Sequence, residues 1–250
     1  MAIHGGFYDI AFCKPGNDRW TILDGSRPPY SDIVYFSKDQ RFYAINSDCS
    51  MEAWDLRDPS CPKIQVFDGA SLRPGKLGHE LRLSYNCVKR NYLVESSGDL
   101  LLLSRFVALS VAESGIDHPE SFKERFYRYL RTEAIERNYY IRDNDAYWTL
   151  GFDVHKLDYY HGKWEPVECL GDRALFVGSN HSFSLSTLDY PELIGNSIYF
   201  SDDNFEEFNN VYHGHDNGIF CLGDNNLKRF YPVRLKIIDP HPVWVAPNTM

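Results

Sequence analysis

The stretch KWEPVECLGDRALFVGSNHSFSLS, residues 163–186, holds two short apolar runs separated by small polar residues. One reading makes it a catalytic turn built from Asp172, Ser179, His181 and Ser182. The other makes it a joint between two β-sheets. A hydrolase elbow needs G-x-S-x-G, because its glycines permit a strained strand-to-helix turn. Here Ser179 directly follows Gly178, strand-like residues flank it, and no helical pattern follows. The spacing therefore favours the joint. Residues 178–181 are expected to form a hairpin turn, with Gly171 and Asp172 as the passage between sheets.

The same grammar recurs along the chain. DIVYF (32–36) leads through SKDQ into RFYAIN (41–46), and YLVES (92–96) leads through Ser-Gly-Asp into LLLLSRF (100–106). SIYFSDD (197–203) and GIFCLGD (218–224) extend the series. Runs rich in β-branched and aromatic residues, bounded by Gly, Asn, Asp and Ser, predict strands joined by tight turns.

A second unit follows two of these hairpins. MEAWDLRDPSCPKIQVFD (51–68) and FDVHKLDYYHGKWEPVECL (152–170) each carry a strand ending in Asp (Asp55, Asp158), a polar turn, a Lys and another strand. Two successive hairpins make a four-stranded antiparallel sheet, and its repetition predicts an all-β fold of the β-propeller type. Blades of about 40–50 residues allow about five to six blade equivalents at most. The whole of 1–250 is read as one propeller domain, incomplete at its start.

One segment breaks the pattern. In HPESFKERFYRYLRTEAIERNYYIRD (118–143), Phe122, Phe126, Leu130 and Ala134 recur every four residues, along one helical face. Pro119 and Glu120 suit a first helical turn. The principal helix is expected within 119–137, as an insertion between strands. Lys123, Arg125, Arg128, Arg131, Arg137 and Arg142 make it basic, with a solvated polar face or a docking helix as the two readings.

With 250 residues, 43% hydrophobic and 15% aromatic, the chain can fill a core. A net charge of −9 argues against a general nucleic-acid binder, which needs excess Lys and Arg for phosphate contacts. No apolar stretch approaches the about 20 residues that span a bilayer, and the start lacks a secretory pattern. The six cysteines (Cys13, Cys49, Cys61, Cys87, Cys169, Cys221) are scattered without C-x-x-C, so isolated reduced thiols are expected. The N-H-S sequon at Asn180 is read as accidental, and the cytoplasm or nucleus as the compartment.

The other candidate chemistry is thin. HGHD (213–216) offers His213, His215 and Asp216, metal ligands by type, but in a polar connection expected to be a solvated loop. Asp202, Asp203, Glu206 and Glu207 suggest a cation or glycosidase site, yet paired acids need positioned geometry. A solvated acidic rim is the expectation. No G-x-G-x-x-G or P-loop occurs. Trp54–Asp55 is a single W-D dipeptide, and Gly78–His79 follows rather than precedes it, which argues against tryptophan-aspartate repeats. Trp20, Trp164 and Trp244 are expected to pack between blades, their indole N–H groups needing partners. No catalytic residue, cofactor or metal site is assigned.

Several strings together resemble the plant F-box-associated β-propellers of the KIB type: CKPGNDRWTILDG, DIVYFSKDQRFYAIN, YLVESSGDLLLL, FDVHKLD, the opening stretch, NSIYFSDD, DNGIF and PHPVWVAP. They run in family order from about Phe7 to Pro247. The resemblance implies a kelch-like propeller that presents a protein target. In complete members, an N-terminal F-box recruits the Skp1–cullin ubiquitin ligase. Here no F-box-like helical segment is read before FYDIAF, and the family's earlier propeller strands are expected to be missing too. The expected function is thus non-catalytic protein binding, with a target of unknown identity and without Skp1 binding by this chain alone. Its unpaired terminal sheet is expected to favour self-association. The alternatives are a propeller enzyme, glycoside-processing or oxidase in type, and a truncated gene product without activity.

Overall fold

The computed structural model describes residues 2–4, 10–14, 16, 18–23, 30–57, 63–67, 87–109, 147–203, 214–230, 238 and 240–247. They form sixteen strands in four sheets. The helix expected within 119–137 lies outside the described residues, as do Cys61, Glu206, Glu207 and His213.

The first sheet joins β1 (Ala2–His4), β2 (Ile10–Phe12) and β3 (Thr21–Leu23) in sequence order. The second is a four-stranded meander of β4 (Tyr30–Phe36), β5 (Arg41–Asn46), β6 (Met51–Asp55) and β7 (Lys63–Phe67). The third repeats it with β8 (Cys87–Ser96), β9 (Asp99–Leu109), β10 (Tyr147–Asp158) and β11 (Lys163–Pro166).

The repeated Asp-turn-Lys unit has one register in both meanders. Asp55 lies opposite Lys63 and Asp158 opposite Lys163. In each, the carboxylate also holds its turn: Asp55 accepts from Arg57 N at 3.1 Å, and Asp158 from Tyr160 N at 2.9 Å. Arg57 and His161 respectively hold these carboxyls below their ordinary range.

The fourth sheet departs from the four-stranded expectation. It contains β12 (Arg173–Val177), β13 (Phe183–Ser186), β14 (Ser197–Phe200), β15 (Gly218–Cys221) and β16 (Asn226–Arg229), ordered β13-β12-β14-β15-β16. The β12–β13 hairpin lies beside β14, with β12 and β14 parallel. The chain from Ser186 to Ser197 crosses back before β14 starts, so a fifth strand enters the sheet.

The sheets stack face to face. Ile10, Phe12 and Leu23 of the first meet Tyr30, Ala44 and Trp54 of the second. Val34, Phe36, Tyr43, Ile45 and Met51 meet Leu93, Leu100, Leu102, Leu157 and Trp164 of the third. On the third sheet's other face, Val94, Leu101, Leu103, Phe152 and Val154 meet Leu175, Val177, Ile198, Phe200 and Phe220 of the fourth. The run LLLL is thereby explained: alternate leucines of β9 serve opposite interfaces, and a strand covered on both faces reads as continuously apolar. Each buried leucine contributes roughly 1.5–3 kcal/mol.

The strands β1, β4, β8 and β12–β13 approach one another in succession, as inner strands around a propeller axis do. Trp164 packs between the second and third sheets as expected, whereas Trp20 is 43% exposed. Trp20 precedes the outermost strand of the three-stranded sheet, where the described residues provide no covering face.

Candidate functional site

The opening stretch is a joint. Gly171 and Asp172 carry the chain from β11 into β12, and residues 178–182 turn it back into β13. Ser186 donates its hydroxyl to Asp172 Oδ2, and Thr187 N donates to the Asp172 backbone carbonyl at 2.9 Å, so side chain and backbone of Asp172 together fasten a connection. Among the described residues, Ser179, His181 and Ser182 share no hydrogen bond. Gly178 has a packing reason: a Cβ there would collide with the side chain of Ser201, whose N donates to Val177 O at 3.0 Å.

Asn180 spans from this turn to the chain's last described segment. Its Nδ2 donates to Trp244 O, and its Oδ1 accepts from Trp244 N at 3.3 Å. The Trp244 indole donates to Val177 O at 3.0 Å and packs edge-on against Phe176, 5.2 Å between centroids. Phe176 is stacked between Phe183 and Tyr199. Trp244 therefore caps the outer face of the fourth sheet, with its N–H satisfied.

A collection of buried polar groups joins the third and fourth sheets, and it overturns two expectations. Asp202, Asp203 and Asp216 are not a solvated rim and loop. Asp202, His215 and Asp216 are buried, and Asp203 is nearly so. Arg105, 1% exposed on β9, organises the group. Its Nε donates to Thr149 Oγ1 at 2.7 Å, its Nη1 to Asp203 Oδ1 at 3.1 Å and Ser201 O at 2.9 Å, and its Nη2 to Asp216 Oδ2 at 2.9 Å. The guanidinium carbon also lies 4.9 Å from the Phe200 ring centre. Arg90 bridges to Asp203 and Arg229 to Asp216, each at 3.1 Å.

Tyrosine and threonine hydroxyls supply further donors to these carboxylates. Tyr92 donates to Asp203 Oδ2 at 2.5 Å, Thr149 to Asp216 Oδ2 at 2.7 Å and Tyr147 to Asp202 Oδ2 at 2.7 Å. His215 Nε2 lies 2.9 Å from Tyr147 O, and its Nδ1 lies 3.8 Å from Asp202 Oδ2. Burial would raise the Asp216 carboxyl, but Arg105, Arg229 and Thr149 prevail and hold it below the ordinary range. Burial also opposes the Arg105 charge, and Tyr92, Asp203 and Asp216 reverse that effect. Such satisfaction is what permits charges to be buried. Arg105 lies 96 positions from Ser201 and Arg90 113 positions from Asp203, separations that sequence spacing does not reveal.

Chemically, this arrangement holds two sheets together. Its carboxylates are engaged by cations and hydroxyls, and no group of three or more metal-ligating residues occurs among the described residues. No helix among them is long and apolar enough to cross a membrane.

The KIB1-4 β-propeller family model matches residues 1–221. The chain belongs to that family. Proteins similar to it include the F-box protein SKIP23 of Arabidopsis thaliana, 25% identical across 95% of this chain and 51% of that protein. The putative F-box protein At3g25750 of the same plant is 34% identical across 86% of this chain and 45% of its own length. The chain thus spans about half the length of these curated relatives. The KIB1-4 match takes in the four sheets through β15, while β16 and Trp244 lie beyond it, Trp244 contacting Phe176, Val177 and Asn180 inside it.

Proposed function

We propose that this chain is a non-catalytic, protein-binding propeller related to the substrate-recognition subunits of Skp1–cullin–F-box ubiquitin ligases. One observation carries the reading. Asp202, Asp203, His215 and Asp216 are spent on sheet-to-sheet packing, while the turns at one end of the second and third sheets face solvent. Those turns are 37–40, 97–98 and 159–162, and Tyr160 in the last is 91% exposed. An exposed tyrosine on a rigid frame suits a protein interface, where its ring gives contact area at little entropic cost. Membership of the KIB1-4 propeller family and similarity to proteins named F-box proteins support the same reading.

In this reading the chain binds a protein target without Skp1, because recruitment belongs to a helical F-box, and it works in the cytoplasm or nucleus. The test has two arms. A protein that copurifies with the wild-type chain is remade pure and titrated against it; stoichiometric binding that Tyr160→Asp weakens at least tenfold is expected. Purified Skp1 is titrated in parallel, and no binding is expected. Unchanged target affinity in Tyr160→Asp sinks the assigned surface, and stoichiometric Skp1 binding sinks the division of labour.

A further inference from the structure

At the opposite end from Tyr160, the β5–β6 turn brings a thiol of the second sheet against an amine of the third. Cys49 sits in this turn with φ of 68° and is 1% exposed. Lys89, exposed near the start of β8, donates Nζ to Cys49 Sγ at 3.0 Å. Asn91 Nδ2 reaches the same sulfur at 3.3 Å. Asn91 is itself fixed, donating to Asn46 O at 3.1 Å and Ser47 O at 3.2 Å while accepting from Ser104 Oγ at 3.0 Å. Sulfur and amine are thus held together by groups on both sheets.

A lysine amine on a cysteine sulfur is seen at Cys49 among the described residues. The other described cysteines have different neighbours: Cys13 donates to Lys14 O, Cys87 to Val88 O, Cys169 accepts from Gly171 N, and Cys221 from the Ser197 hydroxyl. Among the described residues Lys89 forms no ion pair, so no carboxylate draws its Nζ away from the sulfur. A single bridging atom closes the 3.0 Å gap with a small side-chain shift.

We propose that Cys49 and Lys89 form an oxygen-bridged S–O–N crosslink, a redox-sensitive staple between the second and third sheets. The oxidant is dioxygen. The thiol S–H, one amine N–H and the O–O bond break. One oxygen atom enters the bridge as new S–O and O–N bonds form, and the other leaves as water with the two displaced hydrogens. Sulfur and nitrogen each give up two electrons, and dioxygen takes up all four. Two molecules of a dithiol, each closing to a disulfide, supply the four electrons that return the free thiol and amine, the bridging oxygen leaving as water; this distinguishes the bridge from the irreversible sulfinic and sulfonic states of cysteine.

The full chain, purified without reductant and equilibrated with air, tests this by intact mass and peptide mapping. The expected product is heavier by one oxygen and lighter by two hydrogens, carries a peptide joining residues 49 and 89, and reverts with dithiothreitol. Cys49→Ser and Lys89→Arg should each abolish it. Lys89→Arg retains the positive charge beside the sulfur but lacks the primary amine. Persistence of the mass change in that variant overturns the proposal. So does wild-type protein in which Cys49 stays free, or is oxidised while the Lys89 peptide remains unmodified.

Discussion

Arg105 Nη2 lies 2.9 Å from Asp216 Oδ2, joining residues 111 positions apart across the interface of the third and fourth sheets. The same guanidinium reaches Asp203, Thr149 and Ser201. Removing it leaves Asp203 with Arg90 and Asp216 with Arg229 as the remaining cationic partners among the described residues, so each buried carboxylate loses one of its two cations. Arg105→Ala should therefore lower unfolding stability by about 3–5 kcal/mol, the range for breaking one side of a buried pair. Arg105→Lys should lie between it and wild type, because a single ammonium does not span the same acceptors. Urea denaturation checks the order; wild-type stability in Arg105→Ala would show that the network contributes nothing.

The Gly178–Ser201 contact predicts a rescue. Gly178→Ala places a methyl group against the Ser201 side chain and should cost about 1–3 kcal/mol by overpacking. Adding Ser201→Gly should recover part of that loss. Additive effects of the two changes in thermal unfolding would mean that the strain lies elsewhere.

Asn180 uses both ends of its amide on the Trp244 backbone. Asn180→Ala should destabilise the protein by about 1 kcal/mol, the net scale of ordinary hydrogen bonds. The local effect should be larger, with faster hydrogen exchange at the Trp244 amide. A glycan on Nδ2 would remove a donor from this latch, so forced modification of the sequon should produce the same acceleration. Unchanged exchange in both forms would mean that the indole bond to Val177 holds the segment by itself.

Asp32 accepts from Leu93 N at 2.8 Å and from Ile33 N at 2.7 Å, linking the inner strands of the second and third sheets. Burial nevertheless pushes its carboxyl up from 3.8 to about 7, with a smaller upward contribution from Asp203. The folded state therefore holds this proton more tightly than the unfolded chain. The resulting stability is fully present below pH 3.8 and is lost as pH rises to about 7. Asp32→Asn should flatten the pH dependence of the urea midpoint across that window. An unchanged slope would assign the dependence to other groups.

Local chemistry made much of the fold legible. Ser97 and Gly98, with φ of 52° and 76°, form the two-residue turn between paired Ser96 and Asp99 that Ser-Gly-Asp announced. The leucines 100–103 and the two Asp-turn-Lys units marked strands whose pairing depends on neighbours a few residues away. The placement of Gly171 and Asp172 between sheets followed from the same short-range pattern.

The tertiary structure decided what the polar residues do. Asp202, Asp203, His215 and Asp216 look like solvent-facing groups in sequence, because their own segments are polar. Their burial depends on arginines, tyrosines and a threonine delivered by β8, β9 and β10, which no local periodicity records. The parallel β12–β14 pairing, the exposure of Trp20 and the meeting of Cys49 with Lys89 have the same origin. Strand formation responds to residues a turn apart, whereas desolvation and charge pairing depend on whatever surface the folded chain brings opposite.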